Sequence, residues 1–214
     1  MTILITEPKD YSKKALAIYK SLGRVYFYPK LSAKEKKTVL EKTNIIAIGL
    51  SIQIDKKFVD KMPNLKIIAS PATGMNHIDV TYVKSKGIKL ISLRGRKGFL
   101  RNVPSTAEET FALVLSLARN IPWAFDYVKS GGWDRLEWRG HQLMDKTIGL
   151  LGFGRLGRIV ARYAKVFNMK ILACDPNVSE AFMKSRGVSK VGMEELFKKS
   201  DIVSLHVLLT DKTQ

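Results

Sequence analysis

The sequence predicts an α/β protein in which parallel sheets are covered by helices on both faces, and three observations predict it. Apolar runs such as Ile45–Leu50 and the segment LKIIAS at 65–70 have no polar side to turn to water, as expected of strands buried on both faces. Segments with helical spacing of apolar residues separate those runs, which is the alternation that demands crossover connections. A glycine-rich turn also joins one such run directly to a helical segment. The chain has 214 residues, 45% hydrophobic and 26% charged, a balance that excludes a disordered polymer.

The elements follow in order. The opening TILIT is a strand that stops at Glu7-Pro8. Ala15, Leu16, Ile18 and Tyr19 recur with helical spacing between Asp10 and Ser21, and Gly23 is the stop signal. VYFY is the next strand. Ser32 followed by Glu35 forms a capping box for a helix reaching Lys42, whose KEKK stretch is its wet side. After Ile45–Leu50 come a short helix at 55–61, the strand LKIIAS, a helix at 78–86 and the strand KLIS. From Ser105 a helix apolar around most of its girth is expected to lie between layers, so the domain boundary is placed at 103/104. That helix ends at Asn120-Ile121-Pro122. The stretch 123–146, with three tryptophans, reads as irregular connection plus a short helix.

Lys and Arg number 37 against 19 acids, and residues 1–103 hold 21 of the bases with 7 acids. Such a field attracts anions. No aromatic residues interleave with the lysines, so solvated helix faces, not a nucleic-acid surface, are the expectation. The lone Cys174 lies in the apolar run KILAC and forms no internal disulfide, which fits a reducing, cytoplasmic setting. No membrane span or secretory signal is legible.

The most informative segment runs from Thr147 to Asn177. A strand feeds Gly152-Phe153-Gly154-Arg155-Leu156-Gly157, then a helix, then the strand Lys170–Cys174, closed by Asp175. Gly152 permits the tight turn, Gly154 lets backbone approach a diphosphate, and Gly157 lets helix pack on strand. The N–H groups of Arg155 and Leu156 begin the helix and face the anion. The Asp175 carboxylate accepts from the adenosine ribose hydroxyls and repels a 2′-phosphate, which selects NAD over NADP.

Taken together the chain resembles the D-isomer-specific 2-hydroxyacid dehydrogenase family, in particular its phosphoglycerate dehydrogenase-like and hydroxypyruvate reductase-like members. The carriers are ATGMNHIDV (72–80), NVPSTAEETFALVLSLARNI (102–121), W-D-R (133–135) followed by RGHQLMDKTIG (139–149), GLLGFGRLGR (149–158) and DIVSLHVLLTDKT (201–213). Asn76-His77 stands where many members have Asp-Asn, and Leu208 where proline is usual.

The resemblance implies a flavodoxin-like substrate domain over 1–103 and the first part of a Rossmann NAD-binding domain over 104–214. It implies that Thr73 and Gly74 bind the carboxylate of a small anionic 2-hydroxy or 2-keto acid. Thr106 is then near the nicotinamide, and His206, Val207 and Thr210 line the cofactor cleft. It further implies that the family's catalytic Arg, Glu and His follow the segment matching 201–213. On that reading the 214-residue chain is truncated, holds no catalytic residue and is inactive alone. A full-length version would be a homodimeric oxidoreductase acting on 3-phosphoglycerate or hydroxypyruvate; the alternative is an inactive NAD-binding module or scaffold. The basic loop with Arg94, Arg96, Lys97 and Arg101 suits phosphate or carboxylate and makes a doubly anionic substrate an expectation.

Overall fold

The computed structural model describes residues 1–210 and 213, and the chain forms two compact units, 1–97 and 98–214. In the first unit, β1 (Thr2–Ile5), α1 (Lys13–Leu22), β2 (Arg24–Phe27), α2 (Ala33–Lys42), β3 (Ile45–Ala47), α3 (Lys56–Val59), β4 (Ile67–Ser70), α4 (Val80–Ser85) and β5 (Lys89–Ser92) follow one another. The five strands pair in parallel in the order β2-β1-β3-β4-β5. The central strands β1 and β3 bury side chains on both faces, while the edge strands β2 and β5 bury none fully. Leu4, Ile46 and Ile68 join one core, while Ile3, Ile5, Ile45 and Ala47 join the other. Burial on both sides is why these runs carry no polar alternation. The capping box of α2 is formed as expected, with Ser32 accepting from the Glu35 N–H and Glu35 accepting from the Ser32 N–H.

The second unit holds α6 (Ser105–Ala118), α7 (Ile121–Lys129), β6 (Thr147–Leu151), α8 (Arg155–Val166), β7 (Lys170–Cys174), α9 (Glu180–Lys184), β8 (Ser189–Lys190), α10 (Met193–Lys199) and β9 (Ile202–Leu205), after a single turn of helix, α5 (Lys97–Leu100), at the junction. Its sheet is also parallel, in the order β8-β7-β6-β9. Ile148 and Leu150 of β6 are wholly buried under α6 and α8, together with Phe111, Ile159, Val160 and Ala164. On the opposite face Gly149 leaves room for α10. A Cβ there would stand 2.3 Å from Ser200 Oγ and 2.7 Å from Leu196.

The structure differs from the sequence reading in three places. The units part at Lys97/Gly98, not at 103/104, because Leu100 and Val103 are tied into the second unit by Arg155. Pro122 does not end a helix. It occupies the first turn of α7, where its missing N–H costs nothing, after a break at Asn120 in the left-handed region. α6 is buried only at Ala107 and Phe111, and Leu113 and Leu117 remain exposed. Among the described residues no helix is long and apolar enough to cross a membrane.

Leu150 is fully buried at the centre of the second sheet. Leu150→Ala is therefore expected to cost about 2–5 kcal/mol, read by chemical denaturation of the second unit's transition. A loss below about 1 kcal/mol would show that the site collapses around the missing atoms.

Candidate functional site

In an open parallel sheet, ligands bind outside the carboxyl ends of the strands, where the strand order reverses. For the second unit that place lies between β6 and β9. Gly152 follows β6 with φ +96°, and a Cβ on it would meet the carbonyl group of His206 at 2.8 Å. Both the dihedral and the contact demand glycine. Gly157 is equally constrained, since its Cβ would stand 2.3 Å from the Gly152 carbonyl oxygen. Gly154 is different. Nothing lies within 4 Å of the position its Cβ would take, so the backbone there faces open space at the start of α8.

The turn is held by Asp175. One carboxylate oxygen accepts the Phe153 N–H at 2.8 Å and the other accepts the Asn177 N–H at 2.9 Å. Phe153 itself is 1% exposed in the core, and the Gly152 N–H donates to the Cys174 carbonyl. A carboxylate has about four acceptor positions, so Asp175 retains capacity for further donors. The first-turn N–H groups of α8, from Arg155 and Leu156 onward, have no preceding carbonyl within the helix and carry its positive dipole end.

The Arg155 guanidinium is engaged elsewhere, donating to the carbonyls of Leu100 at 3.1 Å and Val103 at 2.7 Å. Arg158 Nε donates to the Gly154 carbonyl at 2.9 Å, steadying the turn from the exposed side.

His206 closes the other wall. Its N–H donates to the Leu151 carbonyl at 2.7 Å, its ring carbon lies 3.8 Å from the Cβ position of Gly157, and its Nε2 is 3.0 Å from Ser204 Oγ. Burial pushes its imidazole below the usual range, which keeps it neutral. Val207 is partly exposed beside it. Thr210 is exposed and bonds to Thr213, and the exposed Thr106 accepts from Thr110 through its carbonyl. No hydrogen bond among the described residues joins either threonine to the turn. Asp211 and Lys212 of the 201–213 motif lie outside the described residues.

In the first unit the strand order reverses between β1 and β3. Glu7, just past β1, spans that point. One oxygen accepts the Gly49 N–H at 2.6 Å and the Thr6 hydroxyl, and the other accepts the Ser51 N–H at 2.7 Å. Burial opposes its charge, but the hydrogen bonds from Ser51, Thr6 and Gly49 outweigh it and hold the carboxyl down at about 2. Thr73 and Gly74 follow β4, with Thr73 exposed and the Cβ direction of Gly74 open. His77 is half-buried; burial pushes its pKa down, and its Nε2 has no hydrogen-bond partner among the described residues. The Glu7 brace and the Arg155 anchor were not legible in the sequence. For Glu7 the one signal was a charged residue ending an apolar strand.

Residues 3–118 match the family described as D-isomer specific 2-hydroxyacid dehydrogenase, catalytic domain, and residues 111–214 match that family's NAD binding domain. The chain belongs to the D-isomer specific 2-hydroxyacid dehydrogenase family. It is 33% identical over 213 residues to the D-3-phosphoglycerate dehydrogenase of Methanocaldococcus jannaschii, covering 99% of this chain and 39% of that protein. It is 36% identical over 184 residues to the hydroxypyruvate reductase of Thermotoga maritima, covering 86% of this chain and 58% of that one. The chain thus spans about two fifths to three fifths of the length of these relatives. The D-lactate dehydrogenase of Aquifex aeolicus, solved with NAD and lactic acid, superposes with TM-score 0.80 at 29% identity, over 99% of this chain and 62% of that one.

The Glu7 brace has a consequence for acid stability. Its carboxyl falls from about 4.5 in the unfolded chain to about 2 when folded, so its contribution is complete above about pH 4.5 and lost as pH falls toward 2. After allowance for solvent screening this is worth about 1–2 kcal/mol. Glu7→Gln is expected to flatten the loss of stability between pH 4.5 and 2, measured by denaturation at each pH; an unchanged slope would contradict the brace.

Proposed function

We propose that this chain carries the dinucleotide site and the substrate-carboxylate site of an NAD-dependent oxidoreductase that interconverts small D-2-hydroxyacids and 2-keto acids. The observation that supports it most directly is the glycine turn. A side chain at Gly152 or Gly157 would strike the backbone of His206 or of the turn itself, Gly154 opens onto free space, and the turn is shaped by a carboxylate with acceptor capacity to spare. These residues fit a dinucleotide. Its diphosphate would be held by the N–H groups of Arg155 and Leu156 beside Gly152, Gly154 and Gly157, and its adenosine ribose by Asp175. The nicotinamide, when bound, supplies hydride acceptance or donation.

The protein's own part is positional. The N–H groups at the head of α8 bind charge without a mobile cation, since Arg155 is committed to Leu100 and Val103. His206, kept neutral, walls the cleft with Val207, and Thr106 and Thr210 complete its lining on the family pattern. Thr73 and Gly74 offer backbone N–H groups to the substrate carboxylate. A second reading, an NAD-binding module or scaffold without turnover, is favoured by the partner of His206. That partner is the Ser204 hydroxyl, not a carboxylate able to support an imidazolium.

Two further assignments belong to this reading. The lone half-buried thiol of Cys174 fits the reducing cytoplasm. A second copy of the chain is the proposed macromolecular partner, because Ile121, Trp123, Phe125 and Val128 of α7 and Trp133 beyond it are all exposed. Sedimentation at tens of micromolar should show a dimer, and a monomer there would set the assignment aside.

NADH binding followed by fluorescence tests the main reading. Asp175→Ala is expected to raise Kd at least about tenfold, since a charge-assisted acceptor and the brace on Phe153 go together. Wild type should bind NADH in preference to NADPH. Equal affinity of wild type and variant would remove Asp175 from the cofactor site.

A further inference from the structure

One residue at the head of α8 faces two ways, and the division bears on which half of a dinucleotide it governs. The main-chain N–H of Arg155 opens the helix beside Gly154, where nothing lies within 4 Å of the position a Cβ would take. Its side chain reaches 52 and 55 positions back along the chain, with Nη1 donating to the Val103 carbonyl at 2.7 Å and to the Leu100 carbonyl at 3.1 Å. Both N–H groups of that nitrogen are thereby used. The acceptors are neutral, and no carboxylate pairs with the guanidinium among the described residues.

The segment it grips has no anchor of its own. α6 starts after Pro104, which has no side-chain acceptor to cap the helix, and the Ala107 and Glu108 N–H groups both fall back on the Pro104 carbonyl, at 2.7 and 3.1 Å. Among the described residues the only hydrogen bonds that reach 100–106 from a distant part of the chain are those of Arg155. Leu100 and Ala107 are buried, while Thr106 is exposed. With Leu100 and Val103 held, Thr106, three residues further on, stands at a span from the head of α8 that the arginine sets.

The diphosphate and the nicotinamide of a dinucleotide are joined through a single ribose. A protein that holds the diphosphate at the N–H groups of Arg155 and Leu156 can grip the ring only if the residues beside the ring stand at a matching span. A cation at the head of an anion-binding helix would ordinarily be assigned to the phosphates. In this chain two main-chain carbonyls hold it instead.

We propose that the Arg155 guanidinium is a positioning residue for the nicotinamide half of the cofactor, fixing 100–106 against the head of α8, while the main-chain N–H of the same residue serves the diphosphate. This rests on the reading that the glycine turn takes a dinucleotide and that Thr106 lies near its nicotinamide.

The test compares ADP, which carries the diphosphate without the nicotinamide, with NADH by calorimetry on the 214-residue chain. A second readout is the emission lifetime of the reduced nicotinamide at saturation, which lengthens when the ring is immobilised. Arg155→Met keeps the main-chain donors. It is expected to raise the Kd of NADH about five- to twentyfold and that of ADP less than about twofold, and to return the lifetime toward that of free NADH. Arg155→Lys, able to reach one carbonyl, should recover part of the affinity and of the lifetime, and it supplies the comparison with wild type if the Met variant does not fold. The proposal is overturned if ADP and NADH weaken by the same factor, which would put the guanidinium on the diphosphate, or if NADH affinity and lifetime stay at their wild-type values in the variants. Equal binding of ADP and NADH by wild type, with no change in lifetime, would remove the Thr106 reading and the proposal with it. If neither ligand binds wild type, the dinucleotide reading fails first.

Discussion

Everything at the carboxyl edge of the second sheet depends on one hydrogen bond, from the Phe153 N–H to the Asp175 carboxylate. A strand that runs straight into a helix must reverse within a few residues, and the reversal leaves donors without a ladder to join. Gly152 makes the reversal possible by adopting a positive φ, and Asp175 fixes it by accepting the donor that the turn strands. With the turn set, Phe153 enters the core, Gly157 comes against the Gly152 carbonyl, and α8 starts with its N–H groups pointing outward. The same carboxylate is thus both a structural brace and the family's expected ribose ligand. This is economical, because a group already ordered by the fold loses little entropy on meeting a ligand.

The first unit repeats the device with a different outcome. Glu7 accepts from Gly49 and Ser51 as Asp175 accepts from Phe153 and Asn177. In the second unit the carboxylate takes Phe153 and Asn177 and leaves the first-turn N–H groups of the following helix to other partners. In the first, the donors at the reversal point are consumed and the open backbone lies one strand further along, at Thr73–Gly74. Two sheets of one design therefore differ in which N–H groups their internal carboxylate takes up.

Much of this was legible in the sequence because it is local. The strand–glycine–helix order, the capping box at Ser32 and the apolar runs depend on neighbours a few residues away, and their periodicity survives in one dimension. What escaped detection joins distant residues. The anchor from Arg155 crosses 52 and 55 residues to reach Val103 and Leu100, and the Glu7 brace crosses more than 40 to reach Gly49 and Ser51. Neither leaves a spacing that a pattern can detect. The start of α7 was misplaced for a different reason. Pro122 reads as a stop when weighed alone, yet one left-handed residue before it turns the same proline into a first-turn residue. The apolar girth of α6 likewise signalled burial, while the structure leaves Leu113 and Leu117 in the open.

The grip of Arg155 on the Leu100 and Val103 carbonyls makes the first residues of the second unit and the head of α8 a single mechanical part. A guanidinium bridging two carbonyls behaves as a rivet. Residues 100–103 and the start of the helix are thereby cross-linked across more than 50 positions of chain, so a displacement of either must break or stretch two hydrogen bonds.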